Sequence, residues 1–488
     1  MLPEEQLIQQ RLDKLKALKE LGENPYDYSY NKTDSSKDIF EKFKKLKKEE
    51  KTKKKVSIAG RIMSLRQMGK ASFGHIQDAS GKIQFYIRED ENERNYKIFK
   101  KLDLGDIIGL SGFVFRTKMG EISIWVQEIK LLTKCIKPLP EKWHGLQDTE
   151  LRYRQRYLDL IVNPNVKEAF MKRAKIIEAI REFLVKQGYI EVETPILQTI
   201  YGGTSARPFE SKLNALNIRV FMRISNELYL KRLLVGGYEK IFEFSQDFRN
   251  EGIDKTHNPE FLLMETMWAY ADYNDNMNLT EELIEYVAKK VLRTTKVEFQ
   301  GKKIDLKRPW QRFTMIEAIK KFANIDVEKL NDSKLKEILD KNKFEYKSFS
   351  RGIAIGLIFK NRVEHNLIQP TLIYDYPAEI SPLSKKHRTN SNFAERFEPF
   401  INGWELGNSY SELNNPKELE ANWKAQELKL EKGDIEAQRL DKDFIRALEF
   451  GMPPASGLGI GVDRLVMILT NSESIRDVIF FPFMKPED

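Results

Sequence analysis

Residues 244–270, FSQDFRNEGIDKTHNPEFLLMETMWAY, set the architecture of the whole chain. Around their start, Phe242, Phe244, Gln246 and Phe248 alternate with Glu243, Ser245, Asp247, Arg249 and Glu251, the period of a strand with two unlike faces. Gly252, Asp254, Asn258 and Pro259 then punctuate a loop. A second stretch, from Phe261 to Ala269, is apolar except where Glu265 interrupts it. The expectation is a long antiparallel hairpin that carries Arg249, Glu251, His257 and Glu265 toward one surface. So many charges on one pleated face are costly unless a polar, anionic ligand sits there. A solvated sheet edge is the alternative, and the mostly apolar opposite face disfavours it.

Composition narrows the class. A chain of 488 residues is long enough for two or three domains with their own cores. Charged residues make up 32%, and the longest apolar run, Gly451 to Leu469, is broken by prolines and glycines, so no membrane span is expected. The N-terminus, MLPEEQLIQQ, has no leader character, and the single cysteine, Cys135, excludes a disulfide framework or thiolate zinc cluster. A cytoplasmic protein is the expectation. The net charge of +9 hints at a polyanionic partner. Residues 42–55, KFKKLKKEEKTKKK, read either as a solvated connector or as a nucleic-acid contact.

Along the chain, residues 4–21 read as a helix stopped by Gly22 and Pro25. From Val56 to residue 133 five strands follow, with one helical stretch between the third and fourth. That is the order of an OB-fold, whose exposed face commonly binds single-stranded nucleic acid. Arg66, Phe73, Gln84 and Glu128 supply the ring, amide and charged groups that a splayed base needs. Residues 134–150 read as a linker, and 151–488 as a catalytic domain with a helical peripheral element near 277–345, including one helix over 314–342. YIEVETPIL reads as a strand ending at Pro195. The fold class is thus α+β: an OB-fold β-barrel, then a mainly antiparallel sheet flanked by helices.

Two further stretches carry chemistry. In GMPPASGLGIGVDRLVMIL, Gly457, Gly459 and Gly461 alternate, so one face of a strand lacks side chains and offers a floor for a planar base. Asp463 is expected to cap the helix that follows, with Arg464 in its first turn. In ERFEPFINGWELGNSYSELNNP, Asn402-Gly403 signals a two-residue hairpin turn. That turn places Glu405 opposite Phe400, with Glu398 a diagonal neighbour at about 7–8 Å. Two such carboxylates suit Mg²⁺ shared with substrate phosphates. Gly407 marks a bulge, beyond which Asn408, Tyr410 and Glu412 share one face. No GxxxxGK[ST] phosphate loop occurs.

Taken together these stretches resemble the class II aminoacyl-tRNA synthetases, specifically the lysyl-tRNA synthetase family. REFLVKQGYIEVETPIL resembles motif 1, FRNEGIDKTHNPEF motif 2 and GLGIGVDRLVMIL motif 3, while IQDASGKIQFYI and LRYRQRYLDL resemble the family's OB domain and domain junction. The class I signatures HIGH and KMSKS are absent. The resemblance implies an ATP site of Arg249, Glu251, His257, Asn258, Phe261 and Arg464, with Arg249 and Arg464 as the catalytic cations. It implies Mg²⁺ on Glu398 and Glu405, and a lysine pocket of Gly203, Glu227, Glu265, Asn408, Tyr410 and Glu412. Arg66, Phe73, Gln84 and Glu128 would meet anticodon bases. The implied partners are tRNA(Lys), ATP, L-lysine and a second copy in a homodimer, with no membrane.

The acidic pocket favours lysine over the aspartate and asparagine of the nearest relatives, because a buried ammonium demands a paired carboxylate. Two positions depart from the family: Met267 stands where Tyr is usual, and Thr256 where some members carry arginine. An RNA-binding paralogue without catalysis would not keep Arg249, Glu398, Glu405 and Arg464 together. A lysine ligase acting on protein would lack the barrel.

Overall fold

The computed structural model describes residues 3–140, 146–431 and 440–487 and divides into two compact units, 1–145 and 146–488. Residues 141–145 of the expected linker lie outside the described residues.

In the first unit, five strands close a barrel: Lys51–Met68, Ala71–Gln77, Lys82–Arg88, Ile107–Arg116 and Ile122–Thr133, with the third strand pairing the fifth. The helix Glu93–Phe99 falls between the third and fourth strands, as the sequence order requires. Inward residues such as Ile58, Ile76, Phe85, Ile108, Leu110 and Ile124 are fully buried, one side of the strict alternation. The lysine run is not a connector throughout. Ser36–Phe43 is a helix with a Ser35/Asp38 capping box, and Lys51–Lys55 already belong to the first barrel strand. Lys51 tolerates this place because its ammonium stands 3.7 Å from the centre of the Trp125 ring.

The second unit is built on a nine-stranded sheet. Its order is Gln311–Thr314, Thr371–Pro377, Phe393–Ile401, Gly407–Ser411, Ala455–Gly461, Glu260–Ala269, Lys240–Phe248 and Ile190–Glu191, with Trp404–Glu405 paired to Phe393–Ile401. All pairings are antiparallel except the outermost one at each end. The expected hairpin is its centre, running from Lys240 opposite Trp268 to Phe248 opposite Glu260. Phe242, Met264, Leu458 and Ile460 on one face pack with the helices Pro164–Lys186, Tyr273–Leu292 and Val462–Thr470 in a single core. The other face is left for the polar side chains.

Three expectations need correction. The helix Tyr273–Leu292 is core rather than peripheral, since Met277, Leu283, Ile284 and Val287 are buried in it. Residues 314–342 are not one helix but a short turn Met315–Ala318, a π-turn Ile319–Ala323, and a separate helix Asp332–Lys341 whose N-cap is Asn331. YIEVETPIL joins the main sheet only at Ile190–Glu191; Leu197–Gln198 leave to pair with Phe221–Met222 in a small second sheet. Pro195, which has no N–H to donate, sits where the chain departs. No helix of the described residues is long and apolar enough to cross a membrane.

Candidate active site

The sheet face away from the core floors a cleft of about 350 Å³. Strand register sets this floor. Glu243, Glu265, Gly459 and Asn408 stand side by side across four strands, and Met267, Gly457, Tyr410 and Arg396 form the next row. Asn402 and Gly403 both have positive φ, as a two-residue hairpin turn demands, and Glu405 faces Phe400. The pairing then slips by one residue, so that Ser409 faces Phe397: the bulge expected at Gly407 is present.

Arg249, Glu251, His257, Asn258, Phe261 and Arg464 all line the cleft. The Arg249 guanidinium lies 5.0 Å from the Phe261 ring centre, and its Nε donates to the Ile224 carbonyl at 3.3 Å. Arg464 Nη1 donates to the Glu405 carbonyl at 2.6 Å, and its Nη2 is 3.3 Å from His257 Nε2. His257 Nδ1 meets Asp254 Oδ2 at 2.9 Å. Burial works against the Asp254 charge, yet the Thr256 amide and His257 hold that carboxyl down at about 2. Thr256 thus serves the turn, its amide and hydroxyl both donating to Asp254, while Lys255 accepts the Ile475 amide through its carbonyl. Asp254, His257 and Arg464 tie the hairpin loop to the helix Val462–Thr470. Asn258 is buried, its amide donating to the Glu260 carbonyl while Oδ1 has no partner.

Toward the Met267 end the lining turns acidic: Gly203, Glu227, Glu265, Asn408, Tyr410 and Glu412. Glu227, Glu265 and Glu412 are all buried. Burial first, then the neighbouring Glu227, Asp247 and Glu412, drive the Glu265 carboxyl well above its ordinary value. Glu412 is pushed up to about 8 by burial, against the pull of Lys231. Gly203 adopts φ +93°, and a Cβ there would stand 2.9 Å from Ser225 Oγ, so only glycine fits.

The glycine strand lines the cleft floor, and two of its glycines do more than leave that floor bare. A Cβ on Gly457 would stand 2.5 Å from Glu412 Oε1, and one on Gly459 would stand 3.0 Å from Glu265 Oε2. These two glycines make room for carboxylates. Only Gly461, beside Arg464, lies at the other end. Asp463 is not the helix cap either. Gly461 occupies that position, and the Asp463 carboxylate instead accepts the Leu262 amide at 2.7 Å and pairs with Arg173, clamping the helix to the hairpin.

Glu405 lines the cleft, but Glu398 does not. Its two oxygens accept from the Tyr376 hydroxyl and from Arg396 Nη2, each at 2.6 Å. Burial and then Glu405 push Glu398 up to about 7, and the same two causes push Glu364 to about 7. Met267 is fully buried, its Sδ and Cε packed against Gly457 beside Glu412.

Residues 148–485 match the family described as tRNA synthetases class II (D, K and N), and residues 56–132 match the OB-fold nucleic acid binding domain. The chain belongs to the class II tRNA synthetases. Over its full length it resembles proteins named lysine–tRNA ligase. It is 50% identical to that of Carboxydothermus hydrogenoformans, covering 99% of both chains. It is 52% identical to that of Thermoanaerobacter sp. (strain X514), covering 99% of this chain and 97% of the relative.

Several polar residues of this synthetase cleft carry no sequence signal. Arg396 links the cleft lining to the carboxylate behind it, donating through Nε to Asn408 Oδ1 at 2.9 Å and through Nη2 to Glu398. Arg223 pairs with Glu243 at 2.7 Å beneath the floor, and Lys231 stands behind the acidic end. Arg396 sits in a strand, Lys231 in a helix and Arg223 just after a strand, and only register and chain crossing bring them together here. On the synthetase's barrel, Arg66 pairs with Phe73 across two strands, and Gln84 lies in the row of His75 and Ser123. Phe73 also begins an aromatic series missed in the sequence, with Tyr86 at 4.8 Å and Trp125 a further 4.9 Å on. Gln84 donates to Glu121 at 2.8 Å. Glu128 is placed differently, opposite Ser111 and beyond a break in register.

Proposed function

We propose that this synthetase activates L-lysine with ATP to lysyl-adenylate and pyrophosphate, then transfers lysine to the 3′-terminal ribose of tRNA(Lys). The observation that carries this reading is the buried trio Glu227, Glu265 and Glu412 at one end of a cleft whose other end holds Arg249 and Arg464. An aspartate side chain would meet only like charge among these three carboxylates; an ammonium finds the partners that burial demands. Gly203, Asn408 and Tyr410 complete the lysine subsite. The relatives' names point to the same amino acid.

The chemistry asks for positioning rather than proton transfer. The lysine α-carboxylate has a pKa near about 3.5 or below and is already the nucleophile at neutral pH. It attacks the α-phosphorus of ATP, the bond to the pyrophosphate oxygen breaks, and pyrophosphate leaves. Arg249 and Arg464 neutralise the charge spread over the phosphate oxygens, and the cleft holds both reactants in line. Phe261 and Arg464 hold the adenine between them, while Glu251, His257 and the unpaired Asn258 oxygen fix the nucleotide's polar edge.

Glu405, which lines the cleft, and Glu398 behind it offer the oxygen donors that Mg²⁺ takes, and the Glu405 charge adds to the cost of ionising the buried Glu398, a cost that a cation beside them would lower. Among the described residues no three side chains form a complete metal shell, so substrate oxygens would complete it. When bound, the ion supplies charge neutralisation at the phosphates. On the barrel, Arg66, Phe73 and Gln84, with Glu128, would read anticodon bases. A homodimer is supported by exposed apolar side chains around residues 185–197, among them Val185, Ile190 and Leu197.

ATP–pyrophosphate exchange against each of the twenty amino acids tests the reading. A response to lysine alone is expected; exchange driven by aspartate or asparagine, or none with lysine, rejects it. Arg249→Ala is expected to abolish the lysine response while tRNA still binds.

A further inference from the structure

Lys231 is a buried cation that the mechanism above does not use. It lies one helical turn after Glu227 in the helix Glu227–Val235, so the two side chains share a face and pair directly. Its ammonium is also 2.5 Å from Glu412 Oε2 and 5.3 Å from the centre of the Tyr410 ring. Only 2% of Lys231 is exposed, and it stands behind the cleft rather than lining it. Burying an ammonium this deeply is costly and adds little stability by itself.

Charge counting gives it a purpose. Glu227, Glu265 and Glu412 face the amino-acid subsite, with the Tyr410 phenol directed at Glu227. Deeper down, Glu243 and Asp247 are offset by Arg223, at 2.7 and 3.4 Å, and Asp247 also feels Arg249. The subsite is therefore left with three carboxylates and one fixed ammonium. A lysine whose own carboxylate points to Arg249 brings two ammonium groups.

We propose that Lys231 is a positioning and specificity-determining residue: it holds Glu227 and Glu412 in place and, once the three carboxylates are ionised in the lysine complex, leaves the subsite with two net negative charges, matched to the two ammonium groups of a diamino acid. This deepens the lysine reading and rests on it. Without Lys231 the three carboxylates face one another with no fixed cation, hold about one proton more than in the wild type, and must lose that one as well when lysine binds.

The test uses the full-length protein and reads lysine-dependent exchange together with protons released on lysine binding, measured by calorimetry in buffers of different ionisation enthalpy. Lys231→Met is expected to raise the lysine KM about tenfold or more while kcat and the ATP KM stay within about threefold. Proton release per lysine should rise toward one more than in the wild type. Lys231→Arg, which keeps the charge, is expected to restore most of the lysine KM. A lysine KM and proton count unchanged in Lys231→Met overturn the proposal. So does equal damage to kcat and both KM values in the Met and Arg variants with an unchanged proton count, because that is a merely structural role. If neither variant folds, the wild type decides: 6-hydroxynorleucine, which lacks the second ammonium, should release about one proton fewer than lysine. Equal release overturns the charge match. A wild type that does not respond to lysine rejects the underlying reading, a result distinguishable from all of these.

Discussion

Adding one methyl group at Gly457 should damage lysine recognition and leave ATP recognition nearly intact. An alanine Cβ there would stand 2.5 Å from Glu412 Oε1 and 2.9 Å from Met267 Sδ and Cε. Carbon–oxygen contact is comfortable only from about 3.4 Å, so the Glu412 carboxylate must retreat by about 0.9 Å. Glu412 is fully buried and its ion-pair partner Lys231 lies 2.5 Å away, so the carboxylate has no free space to retreat into without disturbing that pair. Disturbing a buried charged contact of this kind costs about 1.5–3 kcal/mol, which corresponds to about a 10- to 150-fold rise in lysine KM. Gly459→Ala is milder, since Cβ meets Glu265 Oε2 at 3.0 Å; a rise of about threefold to tenfold is expected. Gly461→Ala meets nothing closer than the Leu406 carbonyl at 3.5 Å and should leave the lysine KM near wild type. Lysine-dependent pyrophosphate exchange, with separate KM values for lysine and ATP, measures the series, and thermal melts control for folding. A Gly457→Ala enzyme with lysine KM within about threefold of wild type refutes the reasoning, as does a Gly461→Ala enzyme damaged equally.

Three further outcomes are expected. Asp247 is raised to about 6 and Glu412 to about 8, burial being the leading cause for both, and Glu265 is raised as well. The folded protein then binds more protons than the unfolded chain from about pH 5 to 8, so ligand-free stability should fall as pH rises through that window. Saturating lysine should flatten the fall, and a ligand-free Tm that climbs with pH across it contradicts the carboxylate shifts. On the barrel, Phe73→Ala should raise the tRNA KM in aminoacylation about tenfold through lost stacking. Pyrophosphate exchange, which needs no tRNA, should not change, and an equal loss in both assays would mean the barrel acts only on folding. Glu405→Gln should raise the Mg²⁺ concentration for half-maximal exchange by about tenfold or more; an unchanged Mg²⁺ titration removes Glu405 from the metal site.

The alternation of residues 242–269 was enough to predict the central hairpin, because a pleated strand with one buried face imposes its period on the sequence. The Asn402-Gly403 turn was legible because it needs positive φ at both residues, and the Gly407 bulge because a side chain there would collide with the Gly459 carbonyl. The π-turn at Ile319–Ala323 and the departure of the chain after Glu191 were not legible, since packing rather than local propensity decides where such elements end. Asp463 looked like a cap by residue type and position. Only the nearness of Leu262 and Arg173 shows that its carboxylate is engaged across the sheet.

By itself, then, the sequence determined the barrel-then-sheet order, the hairpin, and the types of group gathered for nucleotide and amino acid. Those features rest on period and turn chemistry, which are local. The tertiary structure decided what the alternating glycines accommodate, that Arg396 ties Asn408 to Glu398, and that Lys231 stands behind three carboxylates from separate elements. Charge balance in a buried site is a property of side chains brought together from distant positions, and no single stretch of the chain carries it.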